Sequence, residues 1–391
     1  MTKNIKSKIT KLIEDQINHI VELRHRLHEV PEPGFSETQT KAIITNELNK
    51  LDIPIQNNIA GTGIVADIIT DRPGGFIAIR ADMDALPLRE STGVAYKSKN
   101  PGYSHSCGHD GHSAALVGTV HILLKMRNEL TGRIRFIFQP AEETGQGAKS
   151  MIDNGLFDKD LPDAILGFHS WPGLAVDSVS CRPQTMMASC DFLKIKVIGK
   201  GGHGARPESA NNPLIGIAKI VEALSKLDNS ERIVSLCVAK VGKKANIIAD
   251  SGTLTGTIRA LDPQIREKTI DEVVSMVNVL CDQLNLQAKL TFNARTPAVI
   301  VDERLYTIFR EVAAELLSED KVTEIQSPSM GSEDFGSYLE HVPGLLFRIG
   351  MGPDSAQLHQ SNFDFNDKAL KTAMLMLSGL AIRICRDGIS K

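Results

Sequence analysis

The chain has no apolar run long enough to span a bilayer, no excess of one charge and no dense set of cysteines. The first absence argues against a membrane-spanning helix, so no membrane partner is expected. The second sets 44 Lys and Arg against 47 Asp and Glu, a formal net charge of −3. The basic residues are scattered rather than gathered into a stripe, so nucleic acid is not an expected partner either. The third leaves six widely spaced cysteines in 391 residues. That is no disulfide framework, so a cytoplasmic setting is expected, with any special cysteine a metal ligand or a reactive thiol. The first thirty residues lack an uncharged apolar core and a small-residue cleavage site, so they do not read as a secretory signal. Ile5, Ile9, Leu12, Ile13, Ile17, Ile20 and Leu27 keep helical spacing there instead. HExxH, Walker A and GxSxG motifs are missing too, as are internal repeats and low-complexity tracts.

What is present is an ordinary globular composition, 42% hydrophobic and 23% charged, in a chain longer than one core usually organises. Two domains are therefore expected. GIVADII (63–69), FIAIRA (76–81), RIRFIF (133–138), AILGFH (164–169) and LLFRIG (345–350) read as strands. Ser113 to Lys125, Gly145 to Asn154 and a final segment through Leu370, Leu377 and Ile384 read as helices. Such alternation predicts an α/β mixed sheet covered by helices. The middle differs. Strands at 191–199, 232–241, 252–261 and 288–293 alternate with helices at 212–224 and 264–284. That β-α-β-β-α-β order is the ferredoxin-like one. The expected division is thus 1–186 and 298–391 as one α/β domain, with 187–297 inserted.

Four stretches fall just beyond predicted strands of the larger domain or on a following loop: RADMD with Asp82 and Asp84, PAEE with Glu142 and Glu143, FHSW with His169, and LHQ with His359. Open α/β sheets place ligands at the carboxyl ends of their strands. HSCGHDGH (105–112) joins them. Cys107 and His109, two apart on a glycine turn, can face one ion. The competing readings are bland: a small buried cysteine, two solvated glutamates, a buried hydrogen-bonded His169. Of the adjacent carboxylates, one can bind metal while the other acts as a base. His105, His112 and His121 read as structural or supporting. A metal with an open position lowers the pKa of a bound water from ~15.7 towards ~7, and a carboxylate beside it contributes ~10²–10⁴ in rate by moving protons. The set suits hydrolysis of an unactivated amide. GKGGHG (199–204) matches GxGxxG, but Pro207 and Pro213 hold the next helix away from it, so a dinucleotide site is rejected.

RHRLHEVPEPGFSE, IRADMDALP, HSCGHDGH, FQPAEETGQGAKSMIDNGLF, GFHSWP, GKGGHGARP, GTIRALD and MGSEDF, in that order, resemble the M20 metallopeptidase family over nearly the whole length. The likeness is to its amidohydrolase branch, which includes hippurate hydrolases, N-acyl-amino-acid deacylases and auxin-conjugate hydrolases. The resemblance implies two divalent metal ions per subunit, held by Cys107, His109, Glu143, His169 and His359, with Cys107 bridging and Glu142 as the catalytic base. Zinc is the first expectation; manganese, cobalt and nickel are the alternatives. Asp82 and Asp84 are expected to orient the site. The resemblance also implies that the inserted domain is a lid that dimerises, so a homodimer is expected. His203 would stabilise the oxyanion in the neighbouring subunit's site. Asn246 would touch substrate, although the proline usual in that motif is Ala249 here. Arg259 would hold the substrate carboxylate, and Gly331 and Glu333 would line the pocket. The implied activity is cleavage of N-acyl amino acids by a metal-activated water. The alternatives are a dipeptidase or carboxypeptidase of the same family and a non-catalytic carboxylate-binding homologue.

Overall fold

The computed structural model describes residues 3–389. The chain divides into two compact units. The first comprises Met1–Met186, Ile300–Ser327 and Ser337–Lys391. Its centre is an eight-stranded sheet in the order Ile55–Ile59, Gly63–Ile69, Arg133–Gln139, Phe76–Asp82, Ala164–Trp171, Gly344–Gly350, Val179–Cys181, Val322–Glu324. The four strands from Arg133–Gln139 to Gly344–Gly350 run parallel to one another. Antiparallel pairings flank them on both sides. The sheet is therefore mixed, with its parallel part in the middle. The strand Gly344–Gly350 is buried throughout, and Phe76–Asp82 and Arg133–Gln139 are buried after their first residue. Continuous burial of this kind is what a sheet covered on both faces produces.

The helix Lys3–His28 keeps Ile9, Ile13, Ile20, Leu23 and Leu27 out of water. It packs on His109–Lys125 and on the final helix Ala369–Asp387. The carboxyl ends of the parallel strands lie level with one another. Asp82 is opposite Gln139, and Arg80 is opposite Gly167. Asp82, the PAEE turn and His169 thus come to one edge of the sheet. Among the described residues no helix is long and apolar enough to cross a membrane.

The second unit comprises Met187–Val299 and Pro328–Gly336. Four antiparallel strands lie in the order Arg232–Val241, Ser251–Ala260, Ser189–Ile198, Gln287–Thr296. The helices Pro213–Leu224 and Pro263–Gln283 complete a β-α-β-β-α-β order. Both helices start for local reasons. Asn212 accepts from the Leu214 amide, and Asp262 accepts from those of Gln264 and Ile265. Each is followed by a proline at the first helical position. Along Ser189–Ile198 burial alternates from Asp191 onwards, which directs Leu193, Ile195 and Val197 onto Ile217, Ile220, Val273 and Val277.

The structure differs from the sequence division in two places. Ala298 and Val299 close the second unit rather than opening the last part of the first. Pro328–Gly336, expected with 298–391 in the larger domain, groups with the second unit. The Ala188 amide bonds the carbonyls of Ser329 and Gly331, and Arg259 reaches the Met330 carbonyl. A segment so anchored follows its hydrogen bonds rather than its place in the sequence.

Candidate metal centre

Gly108 sets up the site. Its φ of +88° is left-handed, and a Cβ there would meet Ser170 Oγ at 2.6 Å. Only glycine lets the HSCGHDGH turn lie this close to the strand Ala164–Trp171. The chain reverses at Gly108 and the helix begins at His109, four residues ahead of the expected start. Cys107 and His109 are buried at this corner, with Cys107 Sγ 3.4 Å from His169 Nε2.

Hydrogen bonds assign the ring nitrogens. A carbonyl only accepts, so a ring nitrogen facing one carries the proton and its other nitrogen keeps a lone pair. His169 Nδ1 donates to the Ser170 carbonyl at 2.8 Å, which leaves Nε2 facing Cys107. His109 Nδ1 donates to the Asp84 carbonyl at 3.0 Å. Its Nε2 is buried without a hydrogen-bond partner among the described residues, as is Glu143 Oε1. His112 is different. Its Nε2 accepts from the Ser170 amide at 2.9 Å and its Nδ1 donates to Asp82 Oδ1 at 2.6 Å. Both nitrogens are used, so His112 supports Asp82 and has no lone pair free for a metal.

The glutamate turn is held just as firmly. Asp84 takes the Glu142 amide on one oxygen and the Glu143 amide on the other, each at 3.0 Å. Ala141, just before them, has φ of +56°. That left-handed conformation costs a non-glycine residue roughly 1–2 kcal/mol. It is offset by Glu37, whose carboxylate accepts the Ala141 amide at 2.8 Å and the Thr62 hydroxyl at 2.5 Å. His359 comes from the other end of the chain. Its amide bonds the Ser106 carbonyl at 2.8 Å, and its Nε2 lies 3.5 Å from Glu143 Oε1. Its side chain is 57% exposed, so it stands at the open side of the cluster.

Donor atoms of Cys107, His109 and His169 lie within 4.8 Å of one another; so do those of Cys107, Glu143 and His359, and those of His109, Glu142 and Glu143. The first two groups share the Cys107 sulfur. The surroundings are crowded with negative charge. Burial pulls the His109 imidazole down, but Asp82, Asp84 and Glu143 push it up, to about 10. Burial, with Asp84 and Asp82 nearby, pushes Glu143 up to about 7 against the pull of His109. Burial, with Glu143, Glu142 and Asp82 nearby, holds the Cys107 thiol well above its ordinary value. Acids packed this closely call for cations between them. An unpartnered nitrogen on His109, an unpartnered oxygen on Glu143 and a thiol placed between two donor groups fit a pair of metal ions.

The structure thus brings Cys107, His109, Glu142, Glu143, His169 and His359 together within the first unit. Asp82 and Asp84 serve the site through His112 and the Glu142–Glu143 amides. The other sequence candidates belong to the second unit. His203 lies on a two-residue strand paired with Ile247–Ile248, exposed, with Nδ1 accepting from the Ala205 amide at 3.0 Å. Asn246 is beside it, its carbonyl accepting the Gly204 amide at 2.9 Å. Arg259 Nη1 donates to the Met330 carbonyl at 2.8 Å, next to Gly331, whose amide bonds Ser329 Oγ at 3.0 Å. Glu333 bonds the Phe335 amide at 3.1 Å. Sequence reasoning passed over Ser170 and Glu37. A serine after a histidine carries no spacing signal, and Glu37 lies more than a hundred residues before the turn it holds.

A model of peptidase family M20/M25/M40 matches residues 78–383. The N-acetyl-L-cysteine deacetylase of Bacillus subtilis is 34% identical over 372 residues, covering 93% of this chain and 88% of that protein. The hippurate hydrolase of Campylobacter jejuni is 33% identical over 367 residues, covering 92% and 95%. Among solved structures, a dinuclear metal-binding peptidase of the M20 family from Bacillus subtilis superposes with a TM-score of 0.84 at 30% identity, covering 95% of this chain and 99% of that one.

Proposed function

The chain belongs to peptidase family M20/M25/M40, and from that premise we propose that it is a metal-dependent amidohydrolase that cleaves the amide bond of N-acyl amino acids. The observation that carries this reading is the pair of donor groups meeting at Cys107, with Glu142 beside them. Cys107, His109, Glu143, His169 and His359 would hold two divalent cations, which when bound polarise the scissile carbonyl and make a water acidic enough to attack at neutral pH. Zinc suits the thiolate and imidazole donors, with manganese, cobalt and nickel as alternatives.

The remaining steps belong to the chain's own residues. Glu142 takes the proton from the attacking water and passes it to the departing amine. Its turn is fixed by Asp84, so the carboxylate starts the reaction already aimed. His203 donates to the oxygen that gains charge as the carbonyl is attacked. It would do so from a neighbouring copy, in a homodimer joined through the second unit acting as a lid. Arg259 offers a planar fork to the substrate carboxylate, and Asn246 and Gly331 line the substrate. The six cysteines are unpaired, which suits a cytoplasmic enzyme whose Cys107 must stay a thiol.

The test is amine release by protein reconstituted with zinc, manganese, cobalt or nickel, offered N-acetyl amino acids, N-benzoyl amino acids and dipeptides. Turnover of the acylated substrates is expected. Dipeptides cleaved ten-fold faster would move the assignment to a peptidase, and metal-loaded protein inert towards all three classes would end it.

A further inference from the structure

Arg348 poses a problem that the metal centre does not solve. It lies in the fully buried strand Gly344–Gly350 and is 7% exposed. Among the described residues its side chain has no carboxylate and no hydrogen-bond acceptor, and its Nε is sealed from solvent. Arginine does not shed its charge in a protein, and an uncompensated buried cation is among the costliest things a core can hold.

Two neighbours share the deficit. Ser180, 2% exposed, is the antiparallel register partner of Arg348, and its Oγ has no partner. Arg182 follows two residues later, with Nε and Nη1 buried and unpartnered. On its other side Arg348 is in parallel register with His169. Register partners project from the same face of a sheet. The guanidinium of Arg348 stacks on Trp171, 3.4 Å from the ring centroid, and that ring is 6.3 Å from the ring of His169. Two guanidinium forks and a hydroxyl, all lacking acceptors, therefore stand one strand away from a metal-ligand candidate. Trp171 fixes the plane of the inner fork.

We propose that Arg348, Arg182 and Ser180 form a carboxylate-binding subsite next to the metal centre, which selects N-acyl amino acids bearing a second carboxylate. The subsite rests on the reaction proposed above for its substrate class. A planar fork held by stacking matches a carboxylate in two-point contact. The second carboxylate comes from the amino-acid side chain or from a dicarboxylic acyl group, and the kinetic arms below distinguish the two.

The chain's one tryptophan is Trp171, so binding can be read without turnover. Metal-loaded protein is titrated with glutarate, acetate and inorganic phosphate, by tryptophan emission and by calorimetry. Glutarate is expected to bind at least ten-fold tighter than acetate or phosphate, and to lose at least ten-fold in Arg348→Met. Arg182→Gln, at a half-exposed position, provides a second variant should the first fold poorly, and a loss of at least five-fold is expected. Equal glutarate affinity in native and variant proteins, or phosphate as the tighter ligand, overturns the proposal. In the kinetic arms, kcat/KM for N-acetyl-L-glutamate is compared with N-acetyl-L-glutamine, and for N-glutaryl-L-alanine with N-pentanoyl-L-alanine. One diacid is expected to exceed its neutral counterpart at least ten-fold in the native enzyme and by less than two-fold in Arg348→Met. Ratios near one in the native enzyme, or a preference that survives the substitution, also overturn it. If no N-acyl amino acid is cleaved at all, the reaction assigned above has failed, while glutarate binding still decides the subsite.

Discussion

Ser170→Ala isolates the contribution of a single buried hydroxyl to the metal centre. Ser170 is fully buried and ties three parts of the site together. Its amide donates to His112, its carbonyl accepts from His169, and its Oγ donates to the Cys107 carbonyl at 3.0 Å. The substitution removes only the last of these. A buried carbonyl that loses its donor costs about 1–3 kcal/mol, so unfolding should become easier by that amount. The carbonyl belongs to Cys107 itself, so part of the loss should appear as looser placement of the thiol. Partners that orient metal ligands typically contribute ~10–100-fold in affinity. The assay is competitive titration of metal-free protein with zinc against a chromophoric chelator, alongside denaturant unfolding. We expect at least one of the two ions to bind about ten-fold more weakly, with the cobalt-loaded protein showing a weaker sulfur-to-metal absorption band. Affinity within two-fold of native for both ions would refute the idea that the hydroxyl positions Cys107.

Three further outcomes are expected. Glu142→Gln should keep its metal and lose ~10²–10⁴ in turnover, whereas Glu143→Gln should bind metal poorly; metal analysis beside kinetics separates them, and the reverse pattern would exchange their roles. His203→Ala should raise the activation barrier by about 3–4 kcal/mol at unchanged metal content, and near-normal turnover would remove His203 from the chemistry. Asp191→Ala should destabilise the second unit by about 3–5 kcal/mol. The fully buried Asp191 accepts from Arg266 through two nitrogens at 2.8 Å and from Arg295 at 2.9 Å; a thermal midpoint unchanged in the variant would show that this cluster contributes little.

Residue chemistry made part of this site legible before any coordinates. Cys107 and His109 declare themselves by type and spacing, and PAEE and His169 by following apolar strands. Their convergence in the structure reflects the level carboxyl ends of parallel strands. His112 read as structural or supporting, and its two hydrogen bonds bear this out, since they leave it no lone pair for a metal. Arg348 was invisible. An arginine on a strand reads as a solvated charge, and nothing in LLFRIG shows that no acceptor faces it. The strands Val179–Cys181 and Val322–Glu324 were also passed over, since three residues carry no periodicity. The helix start moved from Ser113 to His109 because Gly108, not a polar cap, makes the turn.

The insertion of the second unit has a consequence for how the protein is made. The strand Ala164–Trp171 needs Gly344–Gly350 beside it, and Val179–Cys181 needs Val322–Glu324. On the ribosome, the residues between Met186 and Ile300 emerge before those late strands exist, and their four-stranded sheet can close while the larger one is still waiting for its edge. His359 leaves the exit tunnel after every other ligand candidate. A nascent chain therefore carries Cys107, His109, Glu143 and His169 for some time before its site can be complete.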